Sequence, residues 1–217
     1  MRTLAELVDA PDPAWPLLQT LVREAKNQVE VLPPDGEHRG EALLGMQVTL
    51  RSMLGAITYE TGGLLVDHGW VRVPGSGNPR LTRSIARWNQ GRSFRASGEV
   101  PSFVLVADDV LGGFFAINGG AFDATPGHVC YLPPDTLEWE FLDRGHSDFI
   151  YWLLNGDLER FYADYRWSGW QADVRALSGD MGYSFYPPLL AAAEPESPSR
   201  RPVPIEELYR LHVDSGG

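Results

Sequence analysis

Cysteine is almost missing from this chain of 217 residues: Cys130 stands alone. One thiol cannot close an intrachain disulfide or build a cysteine-rich zinc site. Its setting in the apolar run HVCYL suits a buried structural thiol. Basic residues are also scarce. Against 29 Asp and Glu there are 18 Lys and Arg, a formal net charge of −11. Such a surface repels phosphate backbones and anionic lipid headgroups, so neither nucleic acid nor membrane is an expected partner. A basic protein would be drawn to it. No run reaches the length of about 18 apolar residues that spans a bilayer. The opening MRTLAELVDAPDPAW has no uninterrupted apolar core of the kind that signal peptides carry. Cytoplasmic location is the resulting expectation.

Signatures of chemistry are missing too. The five histidines, His38, His68, His128, His146 and His212, contain no pair at the spacing of a helical zinc motif. The loop PGSGNPR offers Gly-x-Gly without the dinucleotide fingerprint and without a phosphate-loop lysine. No G-x-S-x-G elbow occurs, and nothing near Ser76 in the sequence looks like its base. No metal, no cofactor and no catalytic residue is expected.

What is present is a core. Apolar residues make up 43%, with 7 Trp, 8 Tyr and 9 Phe, enough to fold one domain. That domain is expected over 1–190, with a linker rich in Pro, Ser and Glu over 191–204 and a tail segment over 205–217. Thr3 and Glu6 bracket a capping box for a first short helix. Asp12, followed by Pro13, is placed to cap a second that ends near Asn27. VEVL reads as a short extended piece, and Glu41 to Ala56 as helical pieces broken at Gly45 and Gly55. LLVDHGWVRV reads as two short strands about a His68-Gly69 turn. Leu81 to Asn89 fits a helix with Leu81, Ile85 and Trp88 on one face.

From Phe103 to Tyr165 apolar strand-like runs alternate with Asp-Asp, Gly-Gly and Pro-Pro punctuation, and an aromatic helical pair follows. Asn118-Gly119 is a signal for a tight primed turn. In DTLEWEFL, Glu138 and Glu140 alternate with apolar residues, which puts both on the exposed face of a strand. Trp170 to Leu177 suits another short helix, and SGDMGYSFYPPLL an irregular, core-packing segment. Two polar groups stand out as candidate site residues: Asp67 and His68, with Trp70 beside them, and the pair Asp108 and Asp109. Asp67 could orient the His68 ring, and paired carboxylates at a strand end can do acid–base work. Asp is equally a turn former.

Five segments carry a family resemblance: LGAITYETGGLLVDHGWVRVPGSG, RWNQG, VADDVLGGFFAINGGAF, YLPPDTLEWE and DFIYWLLNGDLERFYADYRWSGW. Together they resemble the bacterial family called domain of unknown function 2625. More distantly, helices leading into Thr61-Gly62-Gly63 and a sheet carrying Asp109 to Phe115 are similar to the SUKH superfamily of Syd-like and Knr-like toxin-immunity proteins. That resemblance implies a non-enzymatic protein that covers a basic toxin.

The expected fold is α+β: N-terminal helices packed on a twisted, mainly antiparallel sheet of about five or six strands, with further helices after the sheet. The expected function is a non-enzymatic protein-binding module of immunity type, with Glu138 and Glu140 steering a basic partner. The alternative is a small-ligand binder or hydrolase-like enzyme whose pocket joins Asp67 and His68 to Asp108 and Asp109.

Overall fold

In the computed structural model the described residues are 1–96, 98–189 and 199–215. The first helix, α1 (Leu4–Val8), starts on the expected capping box: Glu6 N–H donates to Thr3 Oγ1, and Thr3 N–H donates to Glu6 Oε2 at 2.7 Å. Helix α2 (Trp15–Arg23) begins later than the sequence suggests, with Ala14 at its cap and Pro16 in its first turn. Asp12 instead takes a left-handed turn conformation, φ 54°.

Strand β1 (Val29–Leu32) leads to α3 (Arg39–Met46) and α4 (Met53–Glu60). Neither Gly45 nor Gly55 breaks a helix. The break lies between them, where Gln47 ends α3 in the left-handed region and Ser52 caps α4 by accepting from Gly55 N–H. The two glycines serve close packing: a Cβ at Gly45 would meet Ala86 Cβ at 2.9 Å, and one at Gly55 would meet Thr49 O at 2.1 Å.

The sheet continues with β2 (Gly63–Val66), β3 (Val71–Pro74), β4 (Phe103–Asp109), β5 (Phe114–Asn118), β6 (His128–Leu132) and β7 (Glu140–Gly145). These seven strands, rather than five or six, lie in chain order and every neighbouring pair is antiparallel. The short helix α5 (Ile85–Asn89) bridges β3 and β4 and is capped by Ser84. It takes the second half of the expected Leu81–Asn89 helix. Asn118 does not open a tight turn. Its amide organises the loop to β6, accepting from Gly120 and Phe122 N–H and donating to Phe122 and Ala124 carbonyls. Strand β7 starts at Glu140, so Glu138 sits in the lead-in turn, where Leu137 adopts φ 56°.

After the sheet come α6 (His146–Asn155), α7 (Leu158–Phe161), a 3-10 turn (Ala163–Tyr165) and α8 (Trp170–Ala176). The segment expected to be irregular contains β8 (Met181–Tyr186), paired with β9 (Ser199–Pro204). Part of the stretch read as a linker is therefore strand; 190–198 lies outside the described residues. Helix α9 (Ile205–Ser215) follows directly.

Alternation along the strands gives the sheet two apolar faces. One, with Leu64, Val66, Val71, Phe115 and Tyr131, packs on Leu18, Ile57, Phe149 and Leu153 of the helices. The other, with Leu105, Phe114, Ala116 and Leu132, is closed by Trp88 of α5 and by Val203, Ile205 and Leu208 of the C-terminal pieces. The N-terminal helices thus cover one side, as expected, and the second side has a lid of its own. Among the described residues no helix is long and apolar enough to cross a membrane.

Candidate functional site

Asp108 and Asp109 are adjacent on β4, and the pleat sends them to opposite faces. A bulge between Leu105 and Ala107 sets the phase. Asp108, wholly buried, lies across the ladder from Arg72 on β3. Arg72 Nε donates to its Oδ1 at 2.7 Å, and Arg72 Nη2 stands 2.6 Å from the same oxygen. Arg83 Nη2 donates to Oδ2. Two guanidinium groups therefore share one carboxylate, and Asp180 stands 4.0 Å from Arg83 Nη1 as a partial fourth member. Burial pulls the Arg83 pKa below its ordinary value, and Asp108 pushes back.

Asp109 faces the helices. Its Oδ1 accepts from Leu111 and Gly113 N–H, both at 2.9 Å. Its Oδ2 accepts from Tyr131 Oη at 2.7 Å and Tyr162 Oη at 3.2 Å. Burial raises its pKa, while the Tyr131 hydroxyl and the backbone donors oppose the rise. A Cβ at Gly113 would come within 2.4 Å of Oδ2, so glycine is what lets the chain approach.

Asp67 and His68 occupy the β2–β3 connection. Asp67, His68 and Gly69 have φ of 52°, 64° and 93°, three successive left-handed residues. Two of them carry side chains, a costly conformation that surrounding contacts must hold. Gln28 does so: its carbonyl accepts Asp67 N–H and its Oε1 accepts His68 N–H, each at 2.7 Å. The Asp67 carboxylate is paired with Arg166, whose guanidinium lies 4.2 Å from the Trp170 ring centre. His68 Nδ1 lies 2.8 Å from Arg175 Nη2. Guanidinium only donates, so Nδ1 accepts and the ring is neutral with its proton on Nε2. Burial, then the Arg175 charge, lower the His68 pKa. These residues open on a polar cleft of about 590 Å³, shared with Lys26, Glu159 and Gln171.

The four polar side chains do not gather into one set. Asp67 and His68 pair with Arg166 and Arg175, Asp108 with Arg72 and Arg83, and Asp109 with two tyrosines. Trp70 is fully buried among the Tyr162, Trp167 and Trp170 rings, so it is core and not a contact surface. Glu138 and Glu140 are both exposed, but only Glu140 belongs to a strand; Glu138 lies in the turn before β7. Cys130 is buried, and burial pushes its thiol up to about 11. Among the described residues no group of three or more His, Cys, Asp or Glu is arranged to hold a metal ion.

Sequence reasoning singled out the acids and passed over their partners. Arg72 had a signal, a lone charge inside the apolar strand VRV, which demands a buried counter-charge. Tyr131, Tyr162 and Arg166 had none, because their pairings cross 22, 53 and 99 residues of chain.

The family model described as "Protein of unknown function DUF2625" matches residues 4–208. The chain is 41% identical over 211 residues to a putative uncharacterized protein, YbfG, of Escherichia coli K12, covering 97% of this chain and 95% of that one. It is 41% identical over 189 residues to an uncharacterized protein of Haemophilus influenzae, covering 87% and 83%. No solved structure matches.

Proposed function

Because the chain belongs to the DUF2625 family, whose matched relatives are named only as uncharacterised, we propose its role from its own geometry: a non-enzymatic module that binds a basic protein. One contrast carries the proposal. Asp108 and Asp109 are consumed in buried networks and Asp67 in an ion pair with Arg166, whereas the acids at β7 and just before it are open to solvent.

Strand β7 is an edge of the sheet, and no strand other than β6 pairs with it among the described residues. Glu140 and Asp143 are exposed on it and Glu138 just before it, and Phe141 offers an apolar anchor that is 48% exposed. Burial and the nearby Asp135 charge raise the Glu140 pKa, which a cationic neighbour would reverse. Such an edge fits a basic strand or loop that adds main-chain hydrogen bonds while its cations meet the acid row. Acids on an edge also deter self-pairing, so a cationic partner is the occupant this edge selects. An immunity-type role, with a basic toxin as that partner, is the narrower form of the same reading.

The test pairs capture with charge reversal. The full chain and its Glu138→Lys/Glu140→Lys variant are used to isolate partners from source cells, and each recovered protein is then purified and titrated. The expected result is a basic protein whose affinity falls about tenfold or more in the variant and weakens with added salt. Recovery of no stable partner, or equal affinity for both chains, overturns the proposal.

A further inference from the structure

Away from that edge, the loop carrying Ser76 meets the start of α3 and one side of α5. Ser76 is buried, and its hydroxyl donates to Thr61 O at 2.9 Å while accepting from Asp35 N–H at 3.2 Å. Both roles of the hydroxyl are structural, which removes Ser76 as a nucleophile. They also lock the Asp35 loop to the glycine-rich loop. The lock is tight: a Cβ at Gly62 would meet Pro33 O at 2.4 Å, and one at Gly75 would meet Thr61 O at 2.4 Å.

On this platform Asp35 holds His38. Asp35 Oδ1 accepts the main-chain N–H of Glu37 and of His38, at 3.0 and 3.3 Å, and Oδ2 lies 2.8 Å from His38 Nδ1. The carboxylate fixes the proton on Nδ1 and turns Nε2 into the working nitrogen. Two hollows, of about 400 and 350 Å³, flank this ring. Both are lined by His38 and by Arg87. Arg87 is exposed and forms no ion pair among the described residues, although the chain carries 29 acids against 18 bases. Thr82 adds a hydroxyl at the rim of the larger hollow.

We propose that His38 and Arg87 form a binding site for a small molecule bearing an oxyanion, a carboxylate or a phosphate. Arg87 supplies the forked cationic donor that such groups select. His38 supplies an oriented nitrogen that accepts a ligand hydroxyl proton, or donates once protonated. The site is separate from the β7 edge, so either can fail alone.

The probes are inorganic phosphate and acetate, added to the full chain at fixed pH and ionic strength. The readout is the ring C–H resonance of His38, with His68 and His212 as internal controls. A saturable shift confined to His38 is expected, from phosphate, acetate or both, and which of them acts identifies the oxyanion. Arg87→Ala, at an exposed position, is expected to weaken the response about tenfold; circular dichroism checks its fold. An unsaturable or absent shift with both probes, or an unchanged response in Arg87→Ala, overturns the site.

Discussion

At the scale of single residues, the cluster of Arg72, Asp108 and Arg83 is the most exacting arrangement. Arg72 and Asp108 are 1% and 0% exposed at their side chains, and Arg83 only 9%. Buried pairs of this kind add little net stability over an apolar substitute, but losing one partner strands the other. Asp108→Asn keeps the shape and removes the charge both cations share. It is expected to lower the unfolding free energy by about 3–5 kcal/mol, read by urea denaturation. A loss below about 1 kcal/mol would show that solvent reaches the cations after all. Asp109 differs in kind, since four donors saturate its carboxylate without any direct ion pair among the described residues.

At the scale of elements, β9 and α9 matter more than their sequence suggests. SRRPVP has two prolines and two arginines, a poor strand pattern, because proline cannot donate to a ladder. It forms a strand as half of a two-stranded pair that borders no third strand among the described residues. Its continuation places Val203, Ile205 and Leu208 over Phe114 and Leu105. Leu208→Ala is expected to cost about 2–5 kcal/mol. Leu211→Ala, one turn on and 55% exposed, is expected to stay within about half a kcal/mol. Equal effects in thermal or urea unfolding would mean that α9 does not close the sheet.

The legible elements were those with local causes. α1 follows from a capping box, and the β2–β3 hairpin from two apolar runs about Asp67-His68-Gly69. The α2 start was misread because Pro13 imitates a first-turn proline one turn before Pro16 performs that role. The Asn118 loop was misread because the asparagine amide binds four main-chain groups instead of turning the chain itself. At the site, Asp108 and Asp109 could be found but not interpreted, because alternation across a bulge decides which face each one meets.

At the scale of the whole molecule, pH is the variable to test. His146 opens α6, and its Nε2 is sealed from solvent with no hydrogen-bond partner among the described residues. Burial lowers its pKa from 6.5 to about 4. The unfolded chain takes up a proton below its ordinary pKa, and the folded chain refuses that proton until about pH 4. Stability therefore falls as pH drops through this window, by on the order of 2 kcal/mol once partial solvent contact is allowed for. Asp109, raised by burial, acts with the opposite sign, so the comparison must be between chains. His146→Asn is expected to flatten the fall, measured by urea titrations at several pH values. An identical slope in both chains would assign the acid sensitivity elsewhere.

The order of strands in the sheet repeats their order along the chain. During synthesis, each new strand finds its neighbour already made, so pairing can proceed strand by strand from the N-terminal end. The face bearing Leu105, Phe114 and Leu132 has only Trp88 to cover it before then, since Val203, Ile205 and Leu208 emerge after every strand they cover. A nascent chain halted before Ser199 would hold a paired sheet with most of one apolar side covered by Trp88 alone. In the interval between those two moments that apolar surface is open to aggregation.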